Sequence, residues 1–253
     1  KRNMERMEEQ VAGSDYYQLQ HFLTESTWEG RPVLDKIAHD ADQLLEREGE
    51  RGLLIDESAF GKKGKASAGV ARQYNGRLGK VDNCQVAVFG ALCAGEHATL
   101  IDVELYLPEE WTKDVKRCDK VHIPEEKRRH RTKLELALDI VARQRASGIR
   151  FSYVCADGLY GNSFEFCRKL DDNGEKFLVH IHSNLKVFTE KPQLRIPGKS
   201  SRGRPPFKAV PNIASERVDR IVKDIPEKDW ERVSVRASTS GKLIVDTWRK
   251  TVW

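Results

Sequence analysis

The 253-residue chain is long enough for one large domain or two small ones. Apolar residues make up 39% and charged residues 33%, which supports a buried core beneath a heavily solvated surface. A net charge of +5 permits a polyanionic partner without demanding one, so where the charge sits matters more than its sum. No apolar run is long enough for a membrane helix or a secretory signal. The five cysteines (Cys84, Cys93, Cys118, Cys155 and Cys167) form no CxxC pair and read as reduced thiols of a cytosolic protein rather than a disulfide frame.

In chain order, residues 1 to about 50 read as helical, with Val33, Ile37, Ala41 and Leu44 on one face and Trp28 as a core anchor. The period then changes. Gly52 to Ile55 is a continuous apolar run, and "NCQVAVFGALCAG" and "HATLIDVELYLP" read as further strands joined by a glycine hairpin turn. In the last of these, Thr99, Ile101, Val103, Leu105 and Leu107 alternate with Leu100, Asp102, Glu104 and Tyr106. A charged connector leads to a helix opened by a Thr132–Glu135 capping box, striped by Leu134, Leu138 and Val141, and stopped at Gly148. The strand "IRFSYVCAD" follows, then a helix capped by Asn162 or Ser163 and ended by Gly174, then the strand "KFLVHIH". From Asn184 onward a Pro-, Gly- and Arg-rich stretch gives way to short strands, "RVSVRAS" and "KLIVDTW". Three strands as a meander, then a helical crossover into another strand, is the order of an α/β fold with a ribonuclease-H-like mixed sheet flanked by helices. The N-terminal helices precede that sheet, and a β-rich insertion lies near the C-terminal end. No GxGxxG is present to suggest a dinucleotide fold.

Two aspartates share a context. Asp56 and Asp157 each close an apolar run and precede a glycine-containing loop, "ESAFGKKG" and "GLYG". A right-handed crossover sets their strands parallel, about 4.8 Å apart if adjacent, with the carboxyl ends on one edge. Two carboxylates that close repel unless a cation lies between them, and hard Mg²⁺ or Mn²⁺ prefers such oxygen ligands. Two ions roughly 3.5–4 Å apart can clamp a phosphodiester. The competing reading is that each aspartate simply caps its loop by accepting backbone N–H bonds.

The string "DESAFGKKGKASAGVARQYNGRLGKVDNCQVAVF", with "LYLPEEW", "HRTKLELAL" and "CADGLYG", resembles the DDE-type transposases of bacterial insertion sequences, in the subgroup described as DDE superfamily endonucleases. The resemblance runs from "QLQHFLTESTW" into the segment around Trp230. It implies a helical region over 1–50, a ribonuclease-H-like catalytic core over 51–183 and an incomplete insertion over 184–253. It implies that Asp56 and Asp157 are catalytic metal ligands, for Mg²⁺ or Mn²⁺ and two ions. The implied activity is strand cleavage and 3′-hydroxyl strand transfer at element ends, in the bacterial cytoplasm at the nucleoid. The partner is double-stranded DNA, with a possible homodimer and no membrane. The third acid of such sites is a glutamate on a helix after the insertion. The chain lacks an initiator Met and ends inside an apolar run, so it reads as a piece of a longer protein with that acid beyond Trp253. Glu231 is the nearest acid within the chain but falls in the insertion. Two alternatives stand beside this reading: a domesticated, inactive DNA-binding protein, and a structure-specific nuclease of the same superfold.

Basic residues cluster near the first aspartate. Lys62, Lys63 and Lys65, among Gly61, Gly64 and Gly69, with Arg72 just beyond, suit contacts to DNA phosphates; a solvated turn is the bland alternative. Arg131 and Lys133 are further candidates. Arg202-Gly203-Arg204-Pro205 resembles the core of an AT-hook and suits an A·T-rich minor groove. His180 and His182 alternate on one strand but have no companions for a zinc site, and Tyr160 is expected to pack.

Overall fold

The computed structural model describes residues 4–198, 208–238 and 241–253. The chain begins with helices α1 (Met4–Gln10), α2 (Tyr16–Thr24) and α3 (Gly30–Leu44). Strands β1 (Arg51–Gly61), β2 (Ala71–Asn75), β3 (Lys80–Ala94) and β4 (His97–Leu105) follow. Two short helices, α4 (Glu109–Thr112) and α5 (Val115–Lys120), lead to α6 (Lys133–Ala146). Then come β5 (Tyr153–Ala156), α7 (Gly158–Gly161), α8 (Phe164–Asp172) and β6 (Phe177–Val179). The sheet is mixed, ordered β2-β3-β1-β5-β6 with β4 also on β3, and flanked by helices as in a ribonuclease-H-like fold. Contacts divide the chain into two compact units: Lys1–Cys155 with Arg168–Leu178, and Ala156–Cys167 with Val179–Trp253.

In the first unit, β3 is the organising strand. It pairs antiparallel with β1 over that strand's whole length, with β4 through a tight turn, and with β2 near its start. The short β2 was not expected from the sequence pattern. One face of the sheet buries Leu53, Ile55, Ala59, Val86, Val88 and Leu92. Helix α6 is capped as expected: Thr132 accepts from the Glu135 N–H while the Glu135 carboxylate accepts from the Thr132 N–H. Its buried line is Leu136, Ala137, Ile140, Val141 and Gln144, so of the expected stripe only Val141 is buried.

Two further expectations fail here. Val33, Ile37 and Leu44 of α3 are exposed, and the buried line is Ala38, Ala41, Asp42 and Leu45. The helix is turned so that the Asp42 carboxylate accepts from the guanidinium groups of Arg51 (2.8 Å) and Arg150 (2.9 Å), which a search for apolar periodicity does not register. Trp28 is no core anchor. It is half-exposed and stacks on Phe22, with ring centroids 5.4 Å apart, whereas Trp111 is fully buried.

A register shift at Gly90/Ala91 of β3 also overturns the alternation expected for β4. Gly90 faces Asp102 and Ala91 faces Leu100, which leaves Ile101 as a bulge. One extra residue swaps the faces of everything beyond it. Asp102 therefore points into the core, and Leu105 is partly exposed.

The second unit is built around the turn after β5 and a set of short strand pairs. Tyr160 is fully buried against Phe166, ring centroids 5.4 Å apart, which is the packing role expected for it. Lys186–Val187 pairs with Glu216–Arg217, and Leu194–Arg195 with Val210–Pro211. Glu231–Ser238 pairs antiparallel with Gly241–Thr247, the two short strands expected in this stretch. A helix, Val218–Lys223, sits between these strands and was not foreseen. The backbone groups of Phe188 and Trp253 exchange two hydrogen bonds, 2.7 and 3.0 Å long.

Candidate functional site

Asp56 lies in the middle of β1, not at its end, because pairing with β3 continues to Gly61. Strand alternation turns Ile55 and Ala59 inward and leaves Asp56 exposed, opposite Phe89. One of its oxygens accepts from the Glu57 N–H at 2.8 Å. Glu57, on the alternate face, holds an ion pair with Lys133 at 3.0 Å.

Six residues beyond Asp56 the strand becomes the glycine–lysine loop. Lys62, Lys63 and Lys65 are exposed, and none is in an ion pair among the described residues. Arg72, on β2, is exposed and directly opposite Asn83 of β3, while the Lys62 N–H donates to the Asn83 carbonyl at 2.8 Å. Lys62, Asn83 and Arg72 thus form a row across three strands of the first unit. Arg131 and Lys133, also of this unit, are differently placed. Arg131 is paired with Asp139 and donates to the Glu135 carbonyl, and Lys133 is paired with Glu57, so both already neutralise a carboxylate. Arg202 and Arg204 lie outside the described residues.

Asp157 belongs to the second unit. It is exposed and is the N-cap of α7, accepting from the Leu159 N–H at 2.9 Å. The turn behind it is tightly braced. The Asn162 amide donates to the Gly158 carbonyl, and its oxygen accepts from the His182 N–H at 3.0 Å. A Cβ on Gly161 would lie 1.9 Å from the His180 carbonyl oxygen, so only glycine fits there. His180 and His182 are exposed and lie past the end of β6 rather than on it. Glu231 is exposed at the start of the hairpin, its carbonyl accepting from the Thr247 hydroxyl at 3.1 Å. Among the described residues, no three His, Cys, Asp or Glu side chains gather as a metal-binding group.

The charged cluster that sequence reading missed is buried. Asp102 has no exposed side-chain surface and accepts from Arg31 (2.7 Å), Arg143 (2.9 Å) and Gln144 (2.7 Å). Burial by itself would raise its carboxyl pKa, but the hydrogen bonds from Arg143, Arg31 and Gln144 outweigh this and hold it below the ordinary carboxylate range. Arg143 also pairs with Glu104 at 2.8 Å. The cluster ties α3 and α6 to β4. All five cysteines are free, and burial pushes the thiols of Cys84, Cys155 and Cys167 up, which keeps them protonated and unreactive.

With this architecture, the chain matches a family of α/β nucleic-acid enzymes. The model of the DDE superfamily endonuclease family covers residues 1–242, and the chain belongs to that family. It is also similar to a protein of Microchaete diplosiphon named "Probable transposase for insertion sequence element IS701". The two are 35% identical over 185 residues, which is 70% of this chain and 44% of the relative. The matched stretch therefore spans less than half of that relative's length. No described helix is long and apolar enough to cross a membrane.

Proposed function

We propose that this chain carries the catalytic region of a metal-dependent DNA transposase that cleaves element ends and joins a 3′-hydroxyl to target DNA. The observation that carries this reading is the continuity of β1. One strand presents an exposed Asp56 carboxylate and runs directly into a loop of three lysines that have no acidic partner among the described residues. An acid on a rigid strand next to cations on its continuation suits a phosphodiester, which needs both a metal-binding carboxylate and charge neutralisation. Asp157, on the turn after β5, is the second proposed ligand.

The donor chemistry fits a hard divalent cation such as Mg²⁺ or Mn²⁺: both residues are exposed carboxylates, and each is held by a backbone N–H. When bound, such ions polarise phosphoryl oxygens and help activate water or a 3′-hydroxyl. Asp56 and Asp157 would hold them. Lys62, Lys63, Lys65 and Arg72 bind and orient the phosphodiester backbone. Arg131 and Lys133 contact DNA only by exchanging their present carboxylate partners, and Arg202 and Arg204 remain candidates for the minor groove. The homodimer and the nucleoid location belong to the same reading.

The test is cleavage of a labelled element end with Mg²⁺ or Mn²⁺, comparing the unaltered protein with Asp56→Asn and Asp157→Asn. Cleavage lost in both variants supports the reading. Equal cleavage by all three sinks it, and binding without any cleavage by the unaltered protein would favour an inactive DNA-binding protein. Added target DNA that yields no joined product would leave a nuclease rather than a transposase.

A further inference from the structure

The loop that follows β1 is fastened from behind. Most of its carbonyl oxygens are taken up by side chains from four other elements of the same unit. Asn83 donates to the carbonyls of Lys62 (2.6 Å) and Gly64 (2.9 Å). Arg117, its guanidinium stacked 3.7 Å over the Trp111 ring, donates to those of Lys65 (3.2 Å) and Val70 (3.1 Å). Gln85 reaches Ala68 (2.6 Å), Gln73 reaches Gly69 (3.2 Å), and the indole of the buried Trp111 reaches Val70 (2.8 Å). Gly69 has φ +73°, and a Cβ there would lie 2.9 Å from the Tyr106 carbonyl oxygen, so the loop closes onto β4's extension only with glycine.

The donors of the same loop are arranged the other way. The backbone N–H groups of Lys63 to Ser67 have no acceptor among the described residues, and these residues are exposed. A loop most of whose carbonyls are held inward and whose N–H groups and ammonium groups are left to solvent presents mainly donors and positive charge to a ligand. That polarity suits a phosphodiester anion.

We infer that Asn83 and Arg117 are positioning residues that preorganise residues 62–70 as a phosphate cradle for the DNA backbone. This rests on the reading above that the loop contacts DNA. Fixing the loop on folding removes the entropy loss that a flexible lysine turn would suffer on binding. The two residues act through the loop and contribute no charge of their own to the phosphate.

The experiment is a titration of the full chain against a labelled duplex of arbitrary sequence at several salt concentrations, with amide hydrogen exchange of Lys62 and Val70, the hydrogen-bonded amides at the two ends of the loop, measured in parallel. Asn83→Ala and Arg117→Gln are each expected to weaken binding about 5- to 10-fold, leave the salt dependence unchanged, and speed exchange in the loop. Arg117→Lys, which keeps one donor, is expected to recover part of that loss. The triple variant Lys62→Gln, Lys63→Gln, Lys65→Gln is expected to flatten the slope of log K against log salt by up to about 2.7. If Asn83→Ala and Arg117→Gln bind as the unaltered protein does while the triple variant is weakened, the positioning inference falls and the DNA contact stands. If the triple variant also binds normally, the DNA reading of the loop falls with it. Because Arg117 packs on a buried tryptophan, a drop in melting temperature for Arg117→Gln leaves the decision to the half-exposed Asn83 and its exchange rates.

Discussion

Two aspartates on strands of the same sheet are handled in opposite ways. Asp102 on β4 is fully buried and surrounded by Arg31, Arg143 and Gln144, whereas Asp56 on β1 is exposed to solvent. A charge removed from water must find its compensation inside the protein, and Asp102 finds it from two helices at once. A charge left at the surface costs the fold little and stays available to a ligand. Buried acids in this unit therefore hold helices in place, and exposed ones are where chemistry is to be sought.

That contrast can be broken by substitution. The largest effect is expected from Asp102→Ala, which takes the shared buried acceptor away from the partly buried Arg31 and Arg143 and from the buried Gln144; a loss of about 3 kcal/mol in denaturant unfolding is the expected result. Next is Gly161→Ala, where the Cβ would collide with the His180 carbonyl; overpacking of this kind costs about 1–3 kcal/mol and should also disturb the turn that holds Asp157. Thr132→Ala removes the α6 cap and should cost about 1 kcal/mol in thermal melting. The smallest stability change, within about 0.5 kcal/mol, is expected for Asp56→Asn, together with complete loss of metal-dependent cleavage. An Asp56→Asn protein that melts far below the parent would erase the distinction between the two aspartates.

Acid sharpens the same comparison. The folded Asp102 carboxyl titrates below its unfolded value, so the stability it contributes is fully present above the unfolded pKa of about 3.9. It is lost as pH falls through the folded pKa. Unfolding followed from pH 7 downward should show a steep acid limb that becomes shallower in Asp102→Asn.

The main strands and helices of the first unit and the Thr132 cap were legible because each has a local signature, a period, a capping pair or a turn residue, whereas the short β2 and the helix Val218–Lys223 were missed. The aspartates Asp56 and Asp157 were legible as candidates for the same reason. Their surroundings were not. That Asp56 is mid-strand depends on how far β3 extends beside it, and that Asp102 is buried depends on a single bulged residue opposite Gly90/Ala91. The anchoring of the lysine loop was hidden too, since Asn83 and Arg117 are 19 and 52 residues from the carbonyls of Gly64 and Lys65 that they hold.

By itself, then, the sequence determined where most of the longer helices and strands form, where the chain can turn, and which acids and lysines stand near one another along it. These follow from backbone preference and from side-chain spacing over a few residues. Only tertiary structure decided which carboxylate is caged and which faces solvent, and whether a basic loop is loose or fastened. Those outcomes depend on strand register and on hydrogen bonds between distant segments, where a shift of one residue moves a side chain from water to core.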